Sequence, residues 1–297
     1  MDRLSLLLHR YPLTAVAFYA GAICGVHSFA RDNVQGHLHV VRRGPAVLVG
    51  AGGQRLAIAE PCLIFFPRPD DHRLMADERE GADVVCATVR FGGGGRNPIA
   101  DSLPYQVLVP LADMPGIDAL VSLVDYEAFD PQCGQQAALD RLCELMLIRL
   151  LRHCLRNGLA QGGALAGLAD ERLSKALTEI HAAPERNWDL PRMAALAGMS
   201  RARFASQFRR VTGDTPANYL ANWRMALAQT LLRRGHAIKQ VAGEVGYASQ
   251  AALTRAFVRK VGQTPSDWIR ADRAPVDSWA HSPENAETLR QRDATEG

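Results

Sequence analysis

The sequence has no apolar run long enough to cross a bilayer, no Cys-x-x-Cys pair and almost no net charge. Each absence excludes something. A spanning helix needs about 20 consecutive apolar residues. Leu4 to Leu8 is interrupted by His9 and Arg10, and no small-residue cleavage site follows, so no secretory leader is expected. Six cysteines at 24, 62, 86, 133, 143 and 154 are too scattered for a disulfide framework and read as reduced thiols of a cytoplasmic protein. The formal net charge of +3 over 297 residues excludes a chain that is basic throughout, yet it conceals an asymmetry. Residues 171–273 hold 17 Lys/Arg against 8 Asp/Glu, whereas residues 1–170 hold 15 against 18 and residues 274–297 hold 2 against 5. A local basic surplus is what phosphate neutralisation requires, and the acidic remainder argues against a second nucleic-acid surface.

Within the basic block lies an internal repeat with an offset of 48–49 residues. Leu190, Met193, Ala194, Ala197 and Gly198 lead into Ser200, Phe204, Phe208, Gly213, Thr215, Pro216 and Tyr219. Ile238, Val241, Ala242, Val245 and Gly246 lead into Ser249, Leu253, Phe257, Gly262, Thr264, Pro265 and Trp268. The second copy carries one extra residue between Gly and Ser, so the insertion falls in a turn and the helices keep their spacing. Each copy reads as a short helix, a glycine turn and a second helix capped by serine. Phe204, Phe208 and Val211 fall on one face of the second helix, leaving Arg201, Arg203, Ser206, Gln207 and Arg210 outward. In the second copy Gln250, Thr254, Arg255 and Arg259 are outward. Pro216 to Arg234 reads as one long helix between the copies.

Short helix, tight turn and basic second helix is the layout of a helix-turn-helix that enters the major groove. With both copies, the connecting helix, Val245-Gly246-Tyr247-Ala248-Ser249-Gln250 and the closing Gly262-Gln263-Thr264-Pro265, residues 173–271 resemble the DNA-binding domain of the AraC/XylS family of transcription regulators. The resemblance implies DNA contacts from Ala202, Arg203, Ser206 and Gln207 in the first unit and from Gln250, Ala251 and Arg255, with Ser249, in the second. The outward faces add Arg201, Arg210, Thr254 and Arg259. A long basic residue is common in the family where Ser206 stands. The scattered cysteines also argue against the zinc module of the family's DNA-repair relatives.

From Ala15 to Val109 short apolar runs alternate with turn signals, as in a small antiparallel barrel or sandwich. His37-Leu38-His39 puts two imidazoles on one side of a strand. Leu63 to Phe66, followed by Pro67 to Asp71, reads as a strand that leaves and re-enters at His72, with Asp70 and Asp71 in the turn. Residues 13–109 resemble the cupin barrel that serves as sensor in many such regulators. His37, His39 and His72 match the histidines of metal-binding cupins, but the glutamate is missing and Arg42 and Arg43 stand nearby, which would repel a dication. Two readings follow. Either these histidines, with Cys86 or water, hold a zinc-like transition metal, or they line a metal-free pocket for an organic effector. The missing glutamate favours the second.

Gln135 to Asn157 is apolar around most of its circumference. Its face of Leu139, Leu142, Cys143, Met146, Leu150 and Cys154 packs either on the barrel or on a second copy, and the family resemblance favours a dimer. Gly158, Gly162, Gly163 and Gly167 then suggest a flexible linker. The expected organisation is α+β multidomain: a cupin-like antiparallel β-barrel in 1–134, a connecting and dimerisation helix in 135–157, a linker in 158–170, an all-α domain with two helix-turn-helix units in 171–272, and a disordered tail in 273–297. The resemblance implies a cytoplasmic, sequence-specific activator whose partners are double-stranded promoter DNA, a small effector, RNA polymerase and a second copy. It implies no membrane and no catalysis. A metal-dependent cupin enzyme fused to a DNA-binding domain and an effector-independent DNA-binding protein are the alternatives.

Overall fold

The computed structural model describes residues 3–30, 36–92, 97–130 and 133–273. The expected tail from 274 onward lies outside them. Nine strands follow a first helix α1 (Arg3–Arg10): β1 (Leu13–Ile23), β2 (Gly25–Phe29), β3 (Gly36–Arg43), β4 (Ala46–Gly50), β5 (Arg55–Ile58), β6 (Cys62–Phe66), β7 (His72–Ala76), β8 (Ala82–Phe91) and β9 (Val107–Pro110). They form two antiparallel sheets, ordered β1-β8-β3-β6-β9 and β2-β7-β4-β5. The cupin-like domain is therefore two facing sheets, and among the described residues no ladder closes them into a barrel. Ile23, Val41, Leu48, Ile64, Phe66, Leu74 and Val84 fill the space between the sheets. Strands β3 and β6 are buried along almost their whole length because helices cover the other face of the five-stranded sheet, so apolar runs replace alternation.

The covering helices are α2 (Asp118–Phe129) and α3 (Gln135–Arg156). Cys143, Met146, Leu147, Leu150, Leu151 and Cys154 of α3 are fully buried within the chain's own core. This places the face expected to form a dimer contact in the chain's own core. Leu139, Cys143, Met146 and Leu150 are already covered, and Leu142 is half-buried, so that face has no area left for a second copy. The linker is corrected. Residues 163–169 form a helix, α4 (Gly163–Ala169), with Ala164, Leu165 and Leu168 buried. Its glycines are there for close approach: a Cβ on Gly167 would overlap Leu177 and press on Thr212 Cγ2 at 3.2 Å.

The chain continues through α5 (Leu173–Ala182), α6 (Leu190–Leu196), α7 (Arg201–Thr212), α8 (Pro216–Arg233), α9 (Ile238–Glu244), α10 (Gln250–Val261) and α11 (Pro265–Arg273). One apolar cluster runs from the five-stranded sheet through α3, α4 and α5 to Phe204, Phe208 and Trp223. Tyr11, just past α1, meets Trp223 of α8 edge-on at 5.1 Å, and Trp223 stacks at 3.7 Å on His181 of α5. Burial pushes His181 down to about 3, so it is neutral at physiological pH. Residues 3–253 form one compact unit and the segment from Thr254 another. In the second, Phe257 packs on Trp268 at 5.9 Å, and Thr264 caps α11 by accepting the Asp267 amide at 3.2 Å.

Candidate DNA-reading faces and effector cluster

Each repeat forms the expected helix-turn-helix. Asp189 caps α6 by accepting the Arg192 amide at 2.8 Å, with Pro191 in its first turn. Gly198, at φ +63°, makes the turn; Ser200 caps α7 through the Arg203 amide; and Gly213, at φ +79°, ends it. In the second copy Gly246 turns at φ +82°, and Ser249 Oγ accepts the Ala252 amide at 3.2 Å, so Ser249 is a cap. Gly246 lies against Glu185 and Arg224, whose guanidinium donates to the carbonyls of Pro184 and Arg186. These contacts leave no space for a Cβ at that turn.

The exposed faces match most of the expected contact residues. Arg201, Ala202, Arg203, Ser206 and Arg210 are exposed on α7, and Ser249, Gln250, Ala251, Arg255 and Arg259 at and along α10; Thr254 is half-buried. The side chains of Gln250, Arg255 and Arg259 carry no hydrogen bond or ion pair among the described residues. An open groove of about 760 Å³ between α6, α7 and the start of α8 brings Arg209 and Arg210 beside Trp188, Leu190 and Pro216.

Gln207 departs from the expectation. It is half-buried, and its Nε2 donates to Asp170 Oδ2 at 2.7 Å. Its counterpart in the second copy, Ala256, is buried, so this position faces inward rather than toward a groove. Burial alone would raise the Asp170 carboxyl, but hydrogen bonds from Leu173 and Gln207, with Arg210 nearby, bring it below its ordinary range. No sequence pattern pointed to Asp170.

In the sensor, His37, His39 and His72 come together as expected, with Cys86 opposite His39 on the neighbouring strand. His39 Nδ1 lies 3.1 Å from Cys86 Sγ, His39 Nε2 lies 2.7 Å from His72 Nε2, and His72 Nδ1 lies 3.2 Å from the Asp70 carbonyl oxygen. A carbonyl only accepts, so His72 Nδ1 carries a proton and Nε2 of the neutral ring is an acceptor. His39 Nε2–H then donates to it, which leaves His39 Nδ1 to accept from the Cys86 thiol. One assignment thus gives every contact one proton, with both rings neutral. The electrostatics agree. Burial, reinforced by His37, lowers His72 to about 4; burial and the neighbouring histidines hold His39 well below its ordinary value; and burial pushes the Cys86 thiol far up.

This geometry does not fit a metal site. Both nitrogens of His39 and both of His72 are used by hydrogen bonds, and nitrogen ligands about 2.0–2.1 Å from one tetrahedral ion would stand farther apart than 2.7 Å. Arg42 is not the obstacle that the sequence suggested. It lies on the opposite face of β3, pairs with Asp125 of α2 and covers Phe129 at 4.7 Å; Arg43 faces Asp83 at 3.7 Å. Asp70 lies in the connection between β6 and β7, as expected, and is buried there. The sequence also missed the aromatic walls: Phe66 stacks on His72 at 4.0 Å and Phe29 at 5.1 Å. Phe29 belongs to β2, a strand with no apolar alternation to mark it.

No helix among the described residues is long and apolar enough to cross a membrane. Residues 2–156 match the family described as Cupin, and residues 193–271 the family described as Helix-turn-helix domain. A putative AraC-like transcription regulator of Streptomyces lividans is 33% identical over 217 residues, 71% of each chain. An uncharacterized HTH-type transcriptional regulator of Haemophilus influenzae is 34% identical over 264 residues, 81% of this chain and 88% of the relative. Among solved structures, the DNA-binding domain of AdpA, a global transcriptional factor in complex with a target DNA, is 32% identical. That likeness covers 35% of this chain and 96% of that chain, with a TM-score of 0.34.

Proposed function

The chain belongs to the AraC-like transcription regulators and carries a cupin domain, and from that premise we propose that α7 and α10 read promoter DNA under control of an effector held at the His37/His39/His72/Cys86 cluster. The observation that carries the DNA half is the exposed polar face of α10, whose Gln250, Arg255 and Arg259 have no partner among the described residues. Arginine suits guanine and glutamine suits adenine in the major groove. Arg201, Arg203 and Arg210 supply the corresponding charge in the first unit, where Ser206 stands in place of Arg255. The protein acts as an activator that engages RNA polymerase, works in the cytoplasm and is not an enzyme. A second copy would have to pair through what α2 and α3 still expose, namely Leu123, Tyr126, Phe129 and Leu145.

For the sensor, neutral imidazoles between two phenylalanine rings suit an effector that combines a flat apolar body with hydrogen-bonding groups. Such a ligand enters by exchanging partners with the Cys86–His39–His72 chain, and it shifts the protein only by binding one arrangement better than the other.

Two measurements test this reading. Arg255→Ala should lower affinity for a selected operator by about five- to 150-fold, equivalent to about 1–3 kcal/mol, and lower affinity for random duplex less. Equal loss on both would reduce Arg255 to a phosphate contact. Metal content of purified full-length protein should stay well below one ion per chain after incubation with zinc, nickel or iron. Near-stoichiometric metal that is lost in His37→Ala/His72→Ala would replace the organic-effector reading.

A further inference from the structure

Helix α4 joins the sensor to the first DNA-reading unit and is bonded at both ends. At the sensor end, Ser102 Oγ accepts the Leu165 amide at 3.2 Å, and the Ser102 carbonyl accepts the Gln161 amide at 2.9 Å. Ser102 belongs to a short turn clamped by Arg68, which donates to the carbonyls of Ala100 at 2.6 Å and Leu103 at 3.1 Å. Arg68 stands two residues before Asp70, whose carbonyl accepts from His72. At the other end, Asp170 divides its carboxylate. Oδ1 accepts the Arg172 and Leu173 amides at 3.0 and 2.9 Å, which shapes the entry to α5. Oδ2 is not needed for that turn and accepts Gln207 of α7.

Between these ends α4 is closely packed. A Cβ on Gly163 would overlap Ser102 Oγ, and one on Gly167 would overlap Leu177. Packing this close transmits displacement instead of absorbing it.

We propose that Asp170 is a positioning residue for DNA reading: through Gln207 it sets the pose of the first recognition helix, and it does so from a helix whose own place is fixed by Ser102 of the sensor. This rests on the reading that α7 docks on DNA. Asp170 itself touches no base. It decides how α7 sits when the bases arrive, and a change at Ser102 reaches α7 through α4, which meets that helix at the Asp170–Gln207 bond as well as by packing of Gly167 on Thr212.

The test is a thermodynamic cycle on the full-length chain, with affinity for a selected operator and for random duplex measured at one salt concentration. Ser102→Ala and Gln207→Leu should each change the ratio of the two affinities by about three- to ten-fold, and the double variant should change it no more than the larger single. Asp170→Ser keeps a short oxygen for the α5 amides but cannot reach Gln207, so it should behave as Gln207→Leu and carries the cycle if that variant fails to fold. Multiplicative effects of Ser102→Ala and the clasp variant would overturn the proposal, because they mark two independent local defects. An unchanged ratio in either single variant, even with a lowered melting temperature, would overturn it as well. A wild-type chain that selects no operator would instead remove the reading of α7 as a DNA-docking helix, an outcome the cycle separates from failure of the coupling.

Discussion

The two copies of the repeat share caps, turns and buried aromatics, yet they differ where they meet the rest of the chain. Phe208 lies in a cluster that continues to the sensor sheet, whereas Phe257 packs on Trp268 of its own segment. Gln207 is tied to Asp170; the corresponding Ala256 is simply buried. Ser206 stands where the second copy has Arg255. The two units are alike in plan and unequal in surroundings. The first is tied to α4 through Asp170, and the second carries a long cation at the position where the first has serine.

Cavities should expose that inequality most strongly. Phe208→Ala and Phe257→Ala each remove a fully buried ring and should each cost about 3–5 kcal/mol. Loss at Phe208 should lower the melting of the sensor together with the first unit. Loss at Phe257 should leave the sensor's near-ultraviolet signal melting at its wild-type temperature. A common shift in both variants would mean that the two segments unfold as one.

Acid should act next. His181 is buried and neutral, with its pKa lowered from 6.5 to about 3 by desolvation, so the unfolded chain binds its proton first as pH falls. Its contribution is therefore complete above pH 6.5 and is lost as the pH drops toward 3. Between pH 7 and pH 5 the loss is about 2 kcal/mol for this one ring. His72, lowered to about 4, adds to it in the same direction. Both rings lie on the sensor side of Leu253, so acid should loosen that unit first. Denaturant titrations with probes in each segment would read the order, and His181→Phe should flatten the pH dependence.

The smallest effect has the opposite sign. Gly243 in α9 has no atom within 4 Å of a prospective Cβ and an ordinary backbone, so Gly243→Ala should stabilise by about 0.5–1 kcal/mol. The packed Gly167 of α4 should destabilise on the same change.

Much of this was legible in the sequence, because repeat spacing, caps and helical periodicity are local. The turn at Gly198 and the cap at Ser200 did in the fold what the sequence indicated. Seven strands also fell where apolar runs stood. The strands β2 and β7 did not, because Gly25–Phe29 and His72–Ala76 mix polar residues with apolar ones and hold no long apolar run. Residues 37 and 39 share a face of β3 by parity, whereas the ladder to β8 shifts register between Val41 and Arg43, so the side taken by Arg42 follows from its pairing with Asp125. Helix α3 shows the limit of periodicity, which announces a buried surface without naming what buries it. Four glycines in ten residues looked like freedom. In α4 two of them mark close packing instead, a distinction that depends on neighbours distant in the chain.

That continuous core has a practical consequence for anyone assembling hybrid regulators. The glycine-rich stretch at 158–170 looks like the natural place to cut and graft a foreign sensor. A junction there would strip Leu165, Leu168, Leu173 and Leu177 of their cover and leave the recipient half with a raw apolar flank. A graft that respects this molecule would carry α4, α5 and the first reader along with the sensor, as a single transferable cassette.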